Sequence, residues 1–103
     1  MSGSVHIPFY ATLFRGDQLH AALKDIAAVS IHYGASEWSV FRYKDDAYKF
    51  LLSVDFESKE DWDRFWNGQE AIDFRIANSS YYQVPLLYGW TERTTSAESR
   101  IAN

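Results

Sequence analysis

From Val5 to Phe14 the chain alternates, with Val5, Ile7, Phe9, Ala11 and Leu13 on one side and His6, Pro8, Tyr10, Thr12 and Phe14 on the other. A period of two predicts a strand. After Gly16-Asp17, which offers a turn and a helix cap, Leu19, Ala22, Leu23, Ile26, Ala27 and Ser30 recur at helical spacing, and this first helix is expected to end near Tyr33-Gly34. Two further strands are predicted over Glu37–Tyr43 and Tyr48–Glu57, joined as a hairpin through the polar Lys44-Asp45-Asp46-Ala47. Ser58 followed by Asp61 is a weak capping box for a second helix, whose inner face carries Trp62, Phe65, Trp66, Gln69, Ile72 and Ile76. Asn67-Gly68 should kink or split that helix, because glycine is costly inside helices and favoured at their ends. A last strand is predicted over Tyr82–Thr91, at a sheet edge because Pro85 has no N–H for a ladder.

The order is βαββαβ, which gives an α+β, ferredoxin-like fold: an antiparallel sheet with both helices on one face and the first and third strands at its centre. The covered face collects Val5, Ile7, Phe9, Leu13, Val40, Phe50, Leu52, Val54, Phe56, Val84 and Leu86. The other face still carries Tyr10, Phe14, Phe41, Tyr43, Leu51 and Leu87, too much apolar surface to leave to water. Two such faces packed together make a closed symmetric homodimer.

Composition sharpens this. The 103 residues allow one domain, read as 1–91, with a polar C-terminal tail at 92–103. Aromatic residues make up 17%, more than so small a core holds, so some rings are expected to be covered by a partner or a ligand. The net charge of −4 without clustered Lys or Arg argues against nucleic acid as a partner, and no apolar run is long enough for a membrane span. Cysteine is absent, which removes disulfides and thiolate chemistry. The start Met1-Ser2-Gly3-Ser4 lacks the layout of a signal peptide, and the chain is read as cytoplasmic.

The stretch Asp61-Trp62-Asp63-Arg64-Phe65-Trp66-Asn67-Gly68-Gln69-Glu70, followed by Tyr81-Tyr82-Gln83-Val84-Pro85, is similar to small barrel proteins of the dimeric α/β-barrel superfamily. From about Val5 to Thr91 the chain resembles that superfamily in element order and size, and its antibiotic-biosynthesis-monooxygenase-like members in particular. The resemblance implies a homodimer and a small-molecule site between helices and sheet. Oxidation, isomerisation and cyclisation all occur on this fold, and so do purely structural roles. Haem-degrading members use a histidine on the second helix and an asparagine on the first strand. Residues 58–78 hold no histidine and residues 5–14 no asparagine, so no haem is expected.

The expected ligand site is an aromatic pocket of Trp38, Trp62, Phe65, Trp66, Tyr82 and Tyr88, suited to a flat phenolic or polyketide-like molecule, and the competing reading is that these rings simply fill the core. Arg75 is placed to hold a carboxylate or phenolate, or else to pair with Glu70 or Asp73. Together with Asn67, the residues Trp66, Tyr82 and Arg75 imitate the cavity of the superfamily's cofactor-free monooxygenases. His32 is a free candidate for acid–base work or a solvated helix-end histidine, and Asp55 is either a buried acid or a structural acceptor. Thr12, Ser39, Ser53, Asp55 and Gln83 are expected to gather at one end of the sheet. His6 and Asp55 share a face, but with the first and third strands read as parallel they fall roughly 20 Å apart. No histidine has a second ligand at metal-binding spacing, so no metal and no cofactor is expected. The reading is therefore a metal-free monooxygenase, isomerase or cyclase, or alternatively a non-catalytic ligand-binding or assembly module.

Overall fold

The structure, a computed structural model, describes residues 2–99. Its elements are β1 (Gly3–Tyr10), α1 (Gly16–Val29) with a 3-10 turn at Ser30–Tyr33, β2 (Ala35–Arg42), β3 (Lys49–Phe56), α2 (Lys59–Trp66), α3 (Gln69–Asn78) with a 3-10 turn at Ser79–Tyr81, and β4 (Trp90–Thr91). The sheet order is β2-β3-β1-β4, all neighbours antiparallel, so the α+β ferredoxin-like arrangement and its central pair are as the sequence indicates.

The pleat of β3 sorts the molecule into two faces. Phe50, Leu52, Val54 and Phe56 are fully buried beneath the helices, with Val5, Ile7 and Phe9 of β1 beside them. Leu19, Leu23, Ile26 and Ala27 of α1, and Trp62, Phe65, Ala71 and Phe74 of α2 and α3, close the core from above. Full burial of each such side chain contributes about 1.5–3 kcal/mol, so this layer holds the fold.

Local signals place the helix ends. Ser58 Oγ accepts the Asp61 N–H at 3.3 Å, which caps α2. Gly34, at φ 99°, takes the left-handed conformation that ends the 3-10 turn after α1. Asn67 and Gly68 split the second helix outright into α2 and α3. The α1 cap is Arg15 rather than Gly16 or Asp17, and Asp17 instead pairs with Arg42 at 2.9 Å.

Four expectations are corrected. Strand β1 stops at Tyr10, because the chain turns through Leu13 and Phe14 with Phe14 at φ 65° and 78% exposed; neither residue joins the sheet. The last strand is not continuous over 82–91. Tyr82 bridges Ala11 and Trp90 pairs with Val5, which leaves eight residue steps to match six on β1, so the chain around the cis Val84–Pro85 bond bows out and leaves Val84 and Leu87 exposed. Strands β1 and β3 run antiparallel, not parallel, with Ser4 opposite Asp55 and His6 opposite Ser53. A right-handed crossover makes β2 parallel to β1 and a hairpin then reverses β3, so β3 must oppose both. Consequently Thr12 and Gln83 lie at one end of the sheet while Ser39, Ser53 and Asp55 lie toward the other.

Gly3 is where β4 meets the sheet. A β-carbon there would overlap both the Thr91 carbonyl oxygen and the Trp90 indole, so only glycine admits this approach. Of the polar tail, residues 92–99 form no helix or strand, and residues 100–103 lie outside the described residues.

Candidate functional site

Capped at Ser58, α2 places Trp62, Phe65 and Trp66 on one face at helical spacing, and all three are buried. Trp62 and Trp66 stack at 5.2 Å, and Tyr88, delivered by the bowed segment, meets both edge-on at 5.9 and 5.4 Å. The Trp66 Nε1–H donates to Tyr88 Oη at 2.6 Å. Phe65 fills in against Phe56 below. Tyr82 belongs to a second cluster, edge-on to Phe9 and stacked on Phe74. Trp38 sits opposite Val54 on β2, half-buried and stacked on none of these rings. Of the six rings the sequence groups together, Trp62, Phe65, Trp66 and Tyr88 thus form one packed block, Tyr82 joins a second block with Phe9 and Phe74, and Trp38 stands apart.

Between the blocks stands Arg75. Its guanidinium lies 4.3 Å above the Trp66 ring, a cation–π contact. Its Nη1 is buried and has no hydrogen-bond partner. The ordinary carboxylate partners are engaged elsewhere: Glu70 accepts from the Tyr33 hydroxyl at 2.6 Å and Asp73 from Gln69 at 2.7 Å. A buried donor without an acceptor costs about 1–3 kcal/mol, more when charged. Tyr82, 4% exposed, lies within its field. Burial pushes the Tyr82 phenol up, and the charge of Arg75 partly offsets that.

The open face of the sheet is graded. At one end Lys49 sits against Tyr10 and Tyr43, its Nζ 5.5 and 4.3 Å from the ring centres. Its ammonium is held above the ordinary lysine range, first by a hydrogen bond with Tyr10. Leu51 pairs with Phe41 and Pro8 in the middle. At the other end Ser53 Oγ and His6 Nδ1 are 2.9 Å apart, and the Ser4 hydroxyl donates to Asp55 Oδ1 at 2.6 Å. A depression of about 330 Å³ there is lined by Ser4, His6, Ser53, Asp55, Thr91, Glu92 and Arg93.

Asp55 is thus half-buried and tied to Ser4, with His6 lining the same depression rather than standing far away. His32 is exposed in the 3-10 turn after α1. Sequence reasoning missed the Ser53–His6 bond because it read the first and third strands as parallel. It also missed the Tyr33–Glu70 bond, which raises the Tyr33 phenol and lowers the Glu70 carboxyl and which only the packing of α3 against the 3-10 turn creates. Among the described residues no three His, Cys, Asp or Glu side chains gather as a metal site, and no helix is long and apolar enough to cross a membrane.

No protein-family model matches the chain, and no curated protein matches it in sequence. Solved structures do match it in fold. Rv0793 from Mycobacterium tuberculosis superposes with a TM-score of 0.81 at 13% identity, covering 95% of this chain and 100% of that one. A variant of SnoaB, a cofactor-independent oxygenase from Streptomyces nogalater, gives 0.80 at 9% identity over 92% and 95% of the two chains. An antibiotic biosynthesis monooxygenase gives 0.79 at 7% identity over 92% and 100%. The chain therefore has the ferredoxin-like fold of the antibiotic-biosynthesis-monooxygenase-like proteins, as the resemblance implies, and at these identities the likeness is one of fold.

Proposed function

We propose that the protein is a homodimeric small-molecule-binding enzyme that takes an electron-rich aromatic or polyketide-like molecule at the Trp66–Arg75–Tyr88 site and oxidises it without a cofactor. The observation that carries this reading is the buried, unpartnered Arg75 Nη1 beside the Trp66 ring. A planar phenol can lie against the rings while its oxygen accepts from the guanidinium, which favours the phenolate. A phenolate can itself deliver electrons to dioxygen, so no external reductant is required. Tyr82 then contributes a hydroxyl whose raised pKa keeps it protonated as a donor. The fold shared with a cofactor-independent oxygenase supports the reaction class. The resemblance to dimeric barrels, with Tyr10, Phe41, Tyr43 and Leu51 on the open face, supports a second copy as the cover of that half.

The test pairs binding with turnover. Titration with 1,8-dihydroxyanthraquinone should quench tryptophan fluorescence saturably, and Trp66→Ala should weaken binding far more than Lys24→Ala. Incubation with 1,8-dihydroxyanthrone should consume dioxygen faster than buffer does, and Arg75→Met should lower that rate by about tenfold. Unchanged affinity in Trp66→Ala together with an unchanged rate in Arg75→Met would overturn the site.

A second reading is supported by the packing of the rings on one another: a ligand-binding or assembly module without turnover. Saturable binding with no excess oxygen uptake would select it.

A further inference from the structure

Around the Trp66 ring, Trp62 stacks at 5.2 Å, Phe65 is tilted at 6.3 Å, Arg75 lies over it at 4.3 Å and Tyr88 meets it edge-on at 5.4 Å. An aromatic ligand that is to lie against Trp66 has to displace one of these neighbours. Trp62 and Phe65 are buried residues of α2 that also pack on Phe56, and Arg75 is the group the ligand is to meet. Tyr88 differs from all three. It is 43% exposed, and the chain that carries it is not held by the sheet: Gln83 N–H donates to the Tyr10 carbonyl, Trp90 pairs with Val5, and residues 84–89 between them make no backbone hydrogen bond among the described residues. Only Leu86, against the core, and Tyr88, against α2, fasten this stretch, which is two residues longer than the β1 segment it spans. Nothing stands within 4 Å of where a β-carbon on Gly89 would lie, so the chain beside Tyr88 has space to move into. Its contacts are with α2 on the covered side of the sheet, not with the open face given to a second copy.

We propose that the Tyr88 side chain is a plug, a phenol built into the chain that fills the Trp66 site until a phenolic ligand takes its place and turns it out to solvent. The inference rests on the aromatic-ligand site proposed above and adds how that site is closed and which ligands open it. Tyr88 does there what a phenolic ligand would do: its ring packs on two indoles and its oxygen accepts the Trp66 Nε1–H at 2.6 Å. An indole N–H only donates, so whatever replaces Tyr88 must bring an acceptor as well as a ring. A phenol returns both contacts and makes the exchange nearly even. A bare hydrocarbon leaves the buried Trp66 donor without a partner and is refused. Since the site is open only while Tyr88 is out, the apparent affinity is the intrinsic one reduced by the open fraction.

The experiment uses the full chain with 1,8-dihydroxyanthraquinone as the probe. Tyr88→Ala, with circular dichroism unchanged, should bind it about tenfold more tightly than the wild type does, and Tyr88→Phe, which loses only the hydroxyl bond, about threefold more tightly. Without ligand, acrylamide should quench tryptophan emission more steeply in Tyr88→Ala, because Trp62 and Trp66 lose their cover. 1-Naphthol should compete with the anthraquinone about tenfold better than naphthalene does. A measurement on the unsubstituted chain stands beside these: labelled with 3-fluorotyrosine, the fluorine resonance that is missing from Tyr88→Phe should move, on saturation with the anthraquinone, to the position it takes in urea. Affinity in Tyr88→Ala equal to or weaker than in the wild type, or a fluorine resonance that stays in place while ligand binds, would make Tyr88 a wall and overturn the plug alone. No binding by the wild type or by either variant would overturn the ligand site and the plug with it.

Discussion

The two faces of β3 teach opposite lessons from adjacent residues. Phe50, Leu52, Val54 and Phe56 are fully buried in the apolar core, with only His20 and Arg42 bringing polar groups against the Phe50 ring, whereas Lys49, Leu51, Ser53 and Asp55, one step along each time, are half-buried and each meets something chemically distinct. The covered face is uniform because its task is burial. The open face is graded from a lysine among tyrosines, through an aliphatic middle, to a hydroxyl–imidazole pair. Such grading contributes little to the stability of one chain.

That contrast breaks if the two faces respond alike. The largest effect is expected at Phe56→Ala, which opens a cavity beneath Trp62 and Phe65 and should cost about 3–5 kcal/mol in urea denaturation. Leu51→Glu, on the opposite face of the same strand, should leave secondary structure intact by circular dichroism and, if the proposed dimer holds, shift light scattering from dimer to monomer, because the charge would fall between copies. Loss of fold in Leu51→Glu equal to that in Phe56→Ala would mean the open face is core. A smaller loss, about 1 kcal/mol, is expected for Ser58→Ala, which removes the α2 cap on the covered side.

The smallest effect is one of pH. His20 stacks on Phe50, and its pKa is lowered first by desolvation and then by Lys24 and Arg42. Since its folded pKa lies below the unfolded value near 6.5, the unfolded chain binds more protons between the two. Its contribution is therefore full above the unfolded value and is lost as pH falls through the window toward the folded one. The midpoint of thermal unfolding should drop on mild acidification in the wild type and drop less in His20→Gln. An equal drop in both would remove His20 from the account.

Much of the fold was legible because each early element carries its own periodicity: the alternation of Val5–Phe9, the helical stripe Leu19–Ala27 and the glycine break at 68 each need no knowledge of the rest. The last strand was not, since its alternation survives in sequence while its pairing depends on counting against β1, and two surplus residues force it off the sheet. Arg75 was legible as a cation near the aromatic stripe. That it stays unpaired was not, because this follows from Glu70 turning to Tyr33 and Asp73 to Gln69, contacts set by tertiary packing. The pair His6–Ser53 was hidden by a strand direction taken wrongly, since the crossover and the hairpin were not combined to set β3 against β1.

The seat that Gly3 provides for Trp90 has a consequence for how the molecule opens. Between Gln83, whose N–H donates to the Tyr10 carbonyl, and Trp90 no described residue pairs with the sheet, so the short β4 is tied down by Ser4, Val5 and the indole resting where a β-carbon would be. Its free energy of opening is then separable from that of the domain, a local unit that detaches while the rest stays folded. In native-state hydrogen exchange the amides of Trp90 and Thr91 would follow their own low-energy opening while those of β3 track global unfolding. Gly3→Ala would speed only the former, turning a closed arm into a released one without touching the core.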